Sequence, residues 1–445
     1  MYRAGTIGRL ADRTAYGYVR SFLESRGLKV RSAEMNRLVR GCTGVRKTTG
    51  QHPGGLMIIP EGREVFEFTP IQYPANDAES GVVTTHFDCD TIHDHLVKLD
   101  ILGHDDPTVL RMLQDLTGID VRTVPIDDPD TLKLFSGLES LGISKEDASG
   151  EVGTLAIPEF GTRFVRQMLV ETRPSSVGEL VRISGLSHGT NVWTGNAQEL
   201  IKANTCTLKE VIACRDDIMT YLIRKGLPPG DAFNIMERVR KGKGLSADHE
   251  KLMEEHGVPK WYIESCKKIS YLFPKAHAAA YVMMALRIAY FKVHHPLAFY
   301  SAYFTVRADD FDAGLVVRGP GPCRKEIERI DAKGNEATAK EKSLVTVLEV
   351  ALEAMARGIR FLPVDLYKSD VSAFRIEDGA LRCPLASLQG VGSAAAQAIA
   401  AAREQPFTSI EDLQRRAKVS RAVVDAMREH GALASLPETD QIALF

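Results

Sequence analysis

Residues 95–108 read HLVKLDILGHDDPT, and the interpretation of the whole chain starts from this stretch. A short apolar run carries one carboxylate, Asp100, and ends at Gly103. Asp106 as N-cap and Pro107 at the first helical position then predict the start of a helix. A lone acid in an apolar strand is unfavourable unless it is paired or holds a metal ion. Spacing alone leaves two alternatives for Asp100, a metal ligand and a carboxylate that caps the following loop.

Length and composition indicate a multidomain protein of the cytoplasm. The chain has 445 residues, of which 44% are apolar, which is enough for several domains. No run of about 18 apolar residues occurs, so we expect no membrane span. The first residues show no signal-peptide pattern. The seven cysteines are scattered without a Cys-x-x-Cys motif, which favours reduced thiols and argues against a structural zinc site.

The net charge of -2 conceals a strong asymmetry along the chain. Residues 1–50 hold eleven Lys and Arg against three Asp and Glu, whereas residues 51–160 hold six against twenty-one. Residues 201–300 are basic again, with sixteen against ten. Two basic segments that flank an acidic one are typical of a protein that binds a polyanion through the basic segments and divalent cations through the acidic one. The alternative is that these charges only form solvated surfaces.

Four further stretches carry a resemblance to a known family. They read TTGQHPGGLMIIP at 48–60, THFD at 85–88, MLQDL at 112–116 and FPKAHAAAY at 273–281. Together with the strand of Asp100 they resemble the bacterial replicative DNA polymerase III alpha subunit of the PolC type. The resemblance implies an α+β, predominantly helical fold, in which the end of a polymerase palm precedes helical fingers and a helix-hairpin-helix module. It also implies that Asp100 is a catalytic carboxylate and a ligand of Mg2+.

The resemblance implies five segments. They are the C-terminal part of the palm (1–106), the fingers (107–312), a duplex-binding region (313–383), the helix-hairpin-helix module (384–436) and a clamp-binding tail (437–445). We find no strand like the Asp-x-Asp pair that supplies the family's first two catalytic aspartates, and the PHP, OB and exonuclease domains are also missing. Asp88 and Asp90 would share one face of a strand, but we interpret them as loop or helix-start residues. The chain is therefore expected to be a C-terminal portion.

A nucleotide site is expected on the palm and the fingers. The glycine pair at 54 and 55 would let the backbone approach a ligand, although an ordinary loop before a core strand is the alternative. Ser187 and His188 could donate to a base or a phosphate, and the alternative is a helix C-cap with a satisfied histidine. The resemblance implies these nucleotide-binding residues: His52, Gly54, Gly55, Ser187, His188, Arg215, Phe273, Lys275 and His277. Of these, Arg215 is the first candidate for the triphosphate.

Two elements are expected to hold DNA, and one segment is expected to bind the sliding clamp. A compact basic loop that binds phosphates without reading sequence contains Arg238, Arg240, Lys241 and Lys243. Gly390 and Gly392 before an Ala-rich helix predict the hairpin of a helix-hairpin-helix element, whose backbone amides hold one phosphate. The last residues include Gln441, Leu444 and Phe445, a polar anchor with two large apolar side chains. They resemble a clamp-binding tail, and a frayed terminus is the alternative.

Periodicity adds predictions that the structure can test. Residues 1–40 read as helical, with an amphipathic helix from Ala11 to Leu23. Residues 319–322, GPGP, should break regular structure. A long helix should run from the stretch at 273–281 to His294 and His295 and stop at Pro296. Another should span residues 341–357, and Thr408 should begin a capping box.

The sequence supports three functional hypotheses. The first is a template-directed DNA polymerase portion, in which a primer 3′-hydroxyl attacks the alpha phosphate of a dNTP with two Mg2+ ions. Its partners would be primed DNA, dNTP, the sliding clamp, an N-terminal polymerase portion and other replisome subunits, with no membrane. The second is a non-catalytic DNA- and clamp-binding module. The third, a repair protein, rests on the helix-hairpin-helix element alone.

Overall fold

The computed structural model describes residues 1–92, 94–101, 103–146 and 150–440, without the side chains of residues 12, 13, 89 and 90. The chain divides into two compact units, Met1–His104 and Asp105–Phe445, called the N-terminal and the C-terminal unit below. Helices dominate, with one five-stranded and one three-stranded sheet among the described residues. The predicted α+β, mainly helical class is confirmed.

The N-terminal unit is built on a mixed five-stranded sheet with the strand order β3-β4-β1-β2-β5. β1 runs parallel to β4 and antiparallel to β2, and β2 is antiparallel to β5 at the edge. Its elements are β1 (Tyr2–Arg9), α1 (Asp12–Glu24), α2 (Ser32–Cys42), β2 (Arg46–Ile58), β3 (Ile71–Gln72), β4 (Thr84–Asp88), α3 (Cys89–Ile92) and β5 (Val97–Asp100).

The prediction that residues 1–40 are helical is wrong at its start. β1 occupies Tyr2–Arg9, because its backbone pairs with β2 and β4, and the paired residues lie 37 to 83 positions apart in sequence. Such distant pairing overrides local propensity. The predicted helix after it is present as α1. It buries Ala15, Val19 and Leu23, whereas Tyr18 and Phe22 of the same helix are 48% and 46% exposed.

The C-terminal unit begins with a helical half. Its elements are α4 (Asp106–Thr117), α5 (Pro129–Lys133), α6 (Arg163–Thr172), α7 (Val177–His188), α8 (Gln198–Lys202), α9 (Arg215–Arg224), α10 (Pro229–Arg240), α11 (Ala247–Glu255), α12 (Lys260–Lys268), α13 (Lys275–His294) and α14 (Pro296–Val306). The prediction that a long helix stops before Pro296 is confirmed, since α14 starts at this proline. Asp105, not Asp106, occupies the N-cap position of α4.

The second half of this unit adds a small sheet with the order β6-β8-β7. Its elements are α15 (Ala313–Val316), α16 (Pro320–Asp331), α17 (Ala339–Ala356), β6 (Phe361–Leu362), β7 (Arg375–Glu377), β8 (Ala380–Arg382), α18 (Ser393–Ala402), α19 (Ile410–Ala417) and α20 (Arg421–Glu429). α17 confirms the helix predicted at 341–357.

Two local predictions in this half are corrected. The GPGP stretch does not break regular structure, because Pro320 starts α16, where its fixed φ fits the first helical turn. The capping box predicted to begin at Thr408 is wrong, because the N-cap of the helix lies one residue later. Ser409 is the N-cap of α19 and accepts a hydrogen bond from the Asp412 amide at 3.0 Å.

α13 lies at the centre of the C-terminal unit. It packs against α4, α5, α7 and α14, and it buries these residues: Ala278, Val282, Ala285, Leu286, Ile288, Ala289, Phe291 and Lys292. A helix that is apolar on most sides is a core helix. One large cluster of buried apolar side chains extends through the unit from Val109 to Leu433. Within the described part of the chain, none of the helices combines the length and apolarity that crossing a bilayer requires.

Candidate active site and nucleic-acid interface

Asp100 ends the edge strand β5, directly opposite Gly55 of β2. Its side chain is 47% exposed, and its Oδ1 lies 3.1 Å from the Lys98 ammonium. The lone carboxylate of the apolar strand is therefore paired. Since Lys98 and Asp100 are two residues apart on one strand, their side chains share a face of the sheet.

The glycine at position 55 makes room for the neighbours of Asp100. A Cβ atom there would lie 2.8 Å from Nδ1 of His52 and 3.0 Å from Cε of Lys98. His52 Nδ1 accepts a hydrogen bond from the Gly54 amide at 3.2 Å and lies 3.9 Å from Asp100 Oδ1. His52, Gly54, Gly55 and Asp100, four residues predicted for the active site, thus form one cluster in the N-terminal unit.

The described residues do not complete a metal site around Asp100. Nowhere in the described ranges do three or more His, Cys, Asp or Glu side chains come together in a way that could hold a metal ion. Asp88 is engaged locally, because its Oδ1 accepts hydrogen bonds from the amide and the hydroxyl of Thr91 at 3.0 and 2.6 Å. A two-metal centre needs several oxygen ligands. The single carboxylate of Asp100 is not enough for such a centre.

A second cluster lies in the C-terminal unit, where α7 ends. His188 is the last residue of α7, and its Nδ1 donates to the Ser184 carbonyl at 2.8 Å while its Nε2 lies 3.0 Å from Glu159. The hydrogen bond to Glu159 raises the pKa of His188. The hydroxyl of Ser187 donates to the same Ser184 carbonyl at 3.0 Å. Both residues are thus fixed by their helix, and Glu159 stabilises the protonated form of His188.

Phe273 joins His188 to the starts of two other helices. Its ring stacks on the imidazole of His188 at a centroid distance of 4.8 Å and meets His277 edge-on at 5.0 Å. Its carbonyl accepts a hydrogen bond at 3.1 Å from the amide of Arg215, the first residue of α9. Ser187, His188, Arg215, Phe273 and His277, predicted from distant stretches, are therefore neighbours.

Lys275 completes this cluster as the first residue of α13. Its backbone amide donates to Asp216 at 2.8 Å, and its ammonium lies 3.1 Å from Asp217. These two acids were not predicted from the sequence, although carboxylates in a first helical turn are a recognisable signal. Arg182, whose guanidinium lies 3.4 Å from Asp217, was not predicted either. No local pattern marks that contact, because α7 and α9 are brought together only by the fold.

The predicted basic loop is less cationic than its sequence suggests. Arg238 and Arg240 belong to the last turn of α10, and both Arg240 and Lys241 pair with Glu237 at 2.7 and 3.1 Å. The hydrogen bonds from Arg240 lower the pKa of Glu237 to about 2. Arg238 donates to the carbonyl of Lys243 at 3.3 Å. The ammonium of Lys243 has no ion-pair partner among the described residues and is the most available cation of the loop.

The predicted hairpin glycines precede α18. Gly390 has a φ of +92°, and a Cβ there would lie 3.3 Å from Cβ of Ala426 on α20. Gly392 is the N-cap of α18 and provides no side-chain cap. The first amides of the helix therefore remain available to water or to an anion. The tail residues Gln441, Leu444 and Phe445 lie outside the described residues.

Three family models match the chain. The model of the bacterial DNA polymerase III alpha NTPase domain matches residues 6–103, and the model of the alpha subunit finger domain matches residues 106–259. A helix-hairpin-helix motif model matches residues 358–442.

Curated relatives match the chain along its full length. It is 58% identical to a DNA polymerase III PolC-type of Bacillus subtilis and 57% identical to that of Caldanaerobacter subterraneus. The relative from Clostridium perfringens is 55% identical. Each alignment covers 100% of this chain but only 31% or 32% of the relative. The chain therefore belongs to the PolC type of the bacterial DNA polymerase III alpha subunit family, and it spans about a third of the length of these relatives.

Proposed function

We propose that the chain is a C-terminal portion of a replicative DNA polymerase, which binds a dNTP and primed DNA and extends the primer with Mg2+. The nucleotide would bind in the C-terminal unit, at the cluster of His188, Arg215, Phe273, Lys275 and His277. Asp100 would contribute one ligand to the metal ions that activate the primer hydroxyl and stabilise the leaving group.

One observation carries this proposal. The starts of α9 and α13 meet, because the Arg215 amide donates a hydrogen bond to the Phe273 carbonyl and the Lys275 amide donates one to the Asp216 carboxylate. Both helices direct the positive ends of their dipoles and a basic side chain to this point, which favours a polyanion such as a triphosphate. Phe273, stacked on His188, is positioned beside it. A nucleotide needs this combination of cations and an aromatic surface.

The N-terminal unit supports the proposal that further polypeptide completes the active site. β5 is an edge strand, and its apolar residues Val97, Leu99 and Ile101 are 70%, 47% and 57% exposed. They recur at every second position and so share one face. An exposed apolar edge strand invites pairing with another strand. We propose that the remaining part of the polymerase adds to this edge and brings the other catalytic carboxylates to Asp100.

We propose the remaining contacts and the location as follows. Lys243, with the loop around it, and the open amides at Gly392 would hold duplex phosphates, and the last residues would bind the sliding clamp. The six cysteines whose side chains are described are free thiols, which supports a cytoplasmic location.

Primer extension tests the proposal. This chain alone, with Mg2+, four dNTPs and a primed template, should give no extension. Addition of the remaining two thirds of the Bacillus subtilis relative should restore synthesis, and Asp100→Asn should abolish it again. Asp115→Asn removes the same charge from an exposed position of α4 and should leave the restored synthesis unchanged. Extension by the isolated chain would contradict the proposed incompleteness.

A second candidate function is a DNA- and clamp-binding module without catalysis. The Lys98–Asp100 ion pair favours it, because it satisfies the carboxylate without a metal ion. This module would bind DNA with strong salt dependence, and no added polymerase segment would restore extension. Restored synthesis that is lost in Asp100→Asn would exclude it.

A further inference from the structure

The starts of α9 and α13 are held together by two adjacent acids. Asp216 accepts a hydrogen bond from the Lys275 amide, and Asp217 accepts one from the Lys275 ammonium. Asp216 therefore binds the backbone at the start of α13, whereas Asp217 binds the side chain of Lys275.

Asp217 is the more deeply placed of the two. Only 8% of the residue is exposed. Its Oδ2 accepts hydrogen bonds from the amides of Ala213 and Cys214 at 3.2 and 3.0 Å, and Arg182 lies 3.4 Å away. Its Oδ1 faces the ammonium of Lys275 at 3.1 Å. A buried carboxylate with this set of donors is rigid, because any movement would leave several of them unpaired.

Lys275 differs from Asp217 in its exposure. Its side chain is 47% exposed. A lysine ammonium has three donors, and Asp217 uses one of them. A free lysine side chain also loses rotamer entropy when it is immobilised. An anchored Lys275 has already lost much of this freedom while its remaining donors are available to an anion.

We propose that Asp217 is a positioning residue, which holds the Lys275 ammonium at the junction of α9 and α13 so that it meets the phosphates of a nucleoside triphosphate. This inference rests on the proposed function, because it takes that junction to be the triphosphate site. Arg182 has a supporting role, since it pairs with Oδ2 of the same carboxylate whose Oδ1 faces Lys275.

The negative charge of Asp217 repels an anion, and this repulsion competes with the positioning of Lys275. Two backbone amides, Arg182 and Lys275 already surround the carboxylate. Its field at a ligand is therefore largely compensated. Without the carboxylate, Arg182 and Lys275 repel each other, and the exposed lysine turns into solvent. In a variant without this carboxylate, we expect the loss of the fixed position of Lys275 to weaken anion binding more than the removal of one compensated negative charge strengthens it.

Calorimetric titration of the chain with inorganic tripolyphosphate tests the inference. Asp217→Asn should weaken binding about 10-fold, the loss expected for one hydrogen bond to a charged group. Asp217→Glu retains the charge and should recover most of the affinity. Asp248→Asn removes an equal charge from the exposed start of α11 and should bind as the wild type does. Thermal melts of all variants control for folding.

A double-mutant cycle separates positioning from a structural role. If Asp217 acts through Lys275, then Asp217→Asn should cause no further loss in a Lys275→Met background. An equal loss in both backgrounds would overturn the inference, as would unchanged or tighter binding by Asp217→Asn. If the wild type does not bind tripolyphosphate, or if Arg215→Ala and Lys275→Met bind it equally well, the proposed triphosphate site itself is wrong.

Discussion

The two units differ in how they are stabilised. The N-terminal unit has a core cluster of four buried residues, Ala4, Met57, Ile92 and Leu96. The core of the C-terminal unit connects residues from Val109 to Leu433 and encloses charged side chains such as Lys292. Among the described residues, the N-terminal unit also exposes more large apolar side chains, although it is less than a third as long.

This difference indicates which of the two units is stabilised mainly by its own core. A small core and exposed apolar side chains leave a domain with marginal stability. The edge strand β5, which carries Asp100, belongs to this less stabilised unit. Of the residues proposed for the nucleotide, Phe273 precedes α13, and the others lie on helices of the well-packed unit. The proposed nucleotide site and the proposed metal ligand thus belong to units with cores of different size, and three perturbations of decreasing size test this contrast.

The largest expected effect is at a buried ion pair of the C-terminal unit. Lys292 is 0% exposed, and its ammonium lies 2.7 Å from Glu353 and 2.8 Å from the Gly153 carbonyl. Lys292→Met would leave Glu353 buried without its cation. We expect the free energy of unfolding to fall by about 3–5 kcal/mol. Urea unfolding followed by circular dichroism measures this loss.

Two variants control for this prediction. Lys225→Met changes an exposed lysine after α9 and should alter the free energy of unfolding by less than about 0.5 kcal/mol. Lys292→Met combined with Glu353→Leu removes both charges and should recover part of the loss. A Lys292→Met protein as stable as the wild type would mean that the buried pair does not distinguish the two units.

The next effect is confined to the N-terminal unit. A Cβ atom on Gly5 would lie 2.1 Å from the backbone oxygen of Thr85, so β1 and β4 could not keep their pairing. Gly5→Ala should destabilise this unit by about 1–3 kcal/mol. Amide hydrogen exchange should show faster exchange in β1, β2 and β4 and unchanged protection in α13.

Gly17→Ala is the matched control for this variant. Gly17 lies in α1, and nothing stands within 4 Å of its added Cβ. In a helix alanine is favoured over glycine by about 1 kcal/mol. The control should therefore slow exchange in the N-terminal unit. Faster exchange throughout both units in Gly5→Ala would show that they unfold together, and the contrast between them would then fail.

The sequence predicted the elements whose signals are local. The end of α13 before Pro296 and the extent of α17 follow from a proline and from helical periodicity. β1 was missed because its partners are distant in sequence. The alternation of buried and exposed residues along β1 is also weak, because both faces of the strand carry partly buried residues. Pro320 was misread, since a proline that ends one segment can equally start a helix.

For the candidate site, the resemblance identified residues but not their partners. Arg215 and Lys275 were named as cations for phosphate, yet the acids that hold Lys275 were not. The same applies to Lys98, which pairs with the predicted metal ligand Asp100. A motif identifies which residue types are present, whereas ion pairs depend on side-chain directions that only the folded backbone fixes. Pairing was therefore the unpredictable part of both clusters.

The smallest expected effect concerns a pH-dependent contact of the C-terminal unit. The hydrogen bond that His188 donates to Glu159 raises the pKa of His188 above its ordinary value. The protonated form is therefore favoured in the folded state. Its contribution to stability is fully present below the unfolded pKa of about 6.5 and is lost as the pH rises through the folded pKa. Glu159→Gln should lower the pKa of His188 and remove this dependence.

NMR titration of the histidine ring protons checks both statements, and His430 in the same unit provides an internal control. Burial lowers the pKa of His430, whose Nε2 accepts a hydrogen bond from the Val364 amide at 2.8 Å. His188 should therefore titrate above and His430 below the ordinary value, and Glu159→Gln should move only His188. Because both histidines belong to one unit, exchange protection in the N-terminal unit should not follow either titration. If exchange protection in the N-terminal unit changed with either titration, the stabilities of the two units would be coupled. This result would contradict the independent stabilisation of the two units.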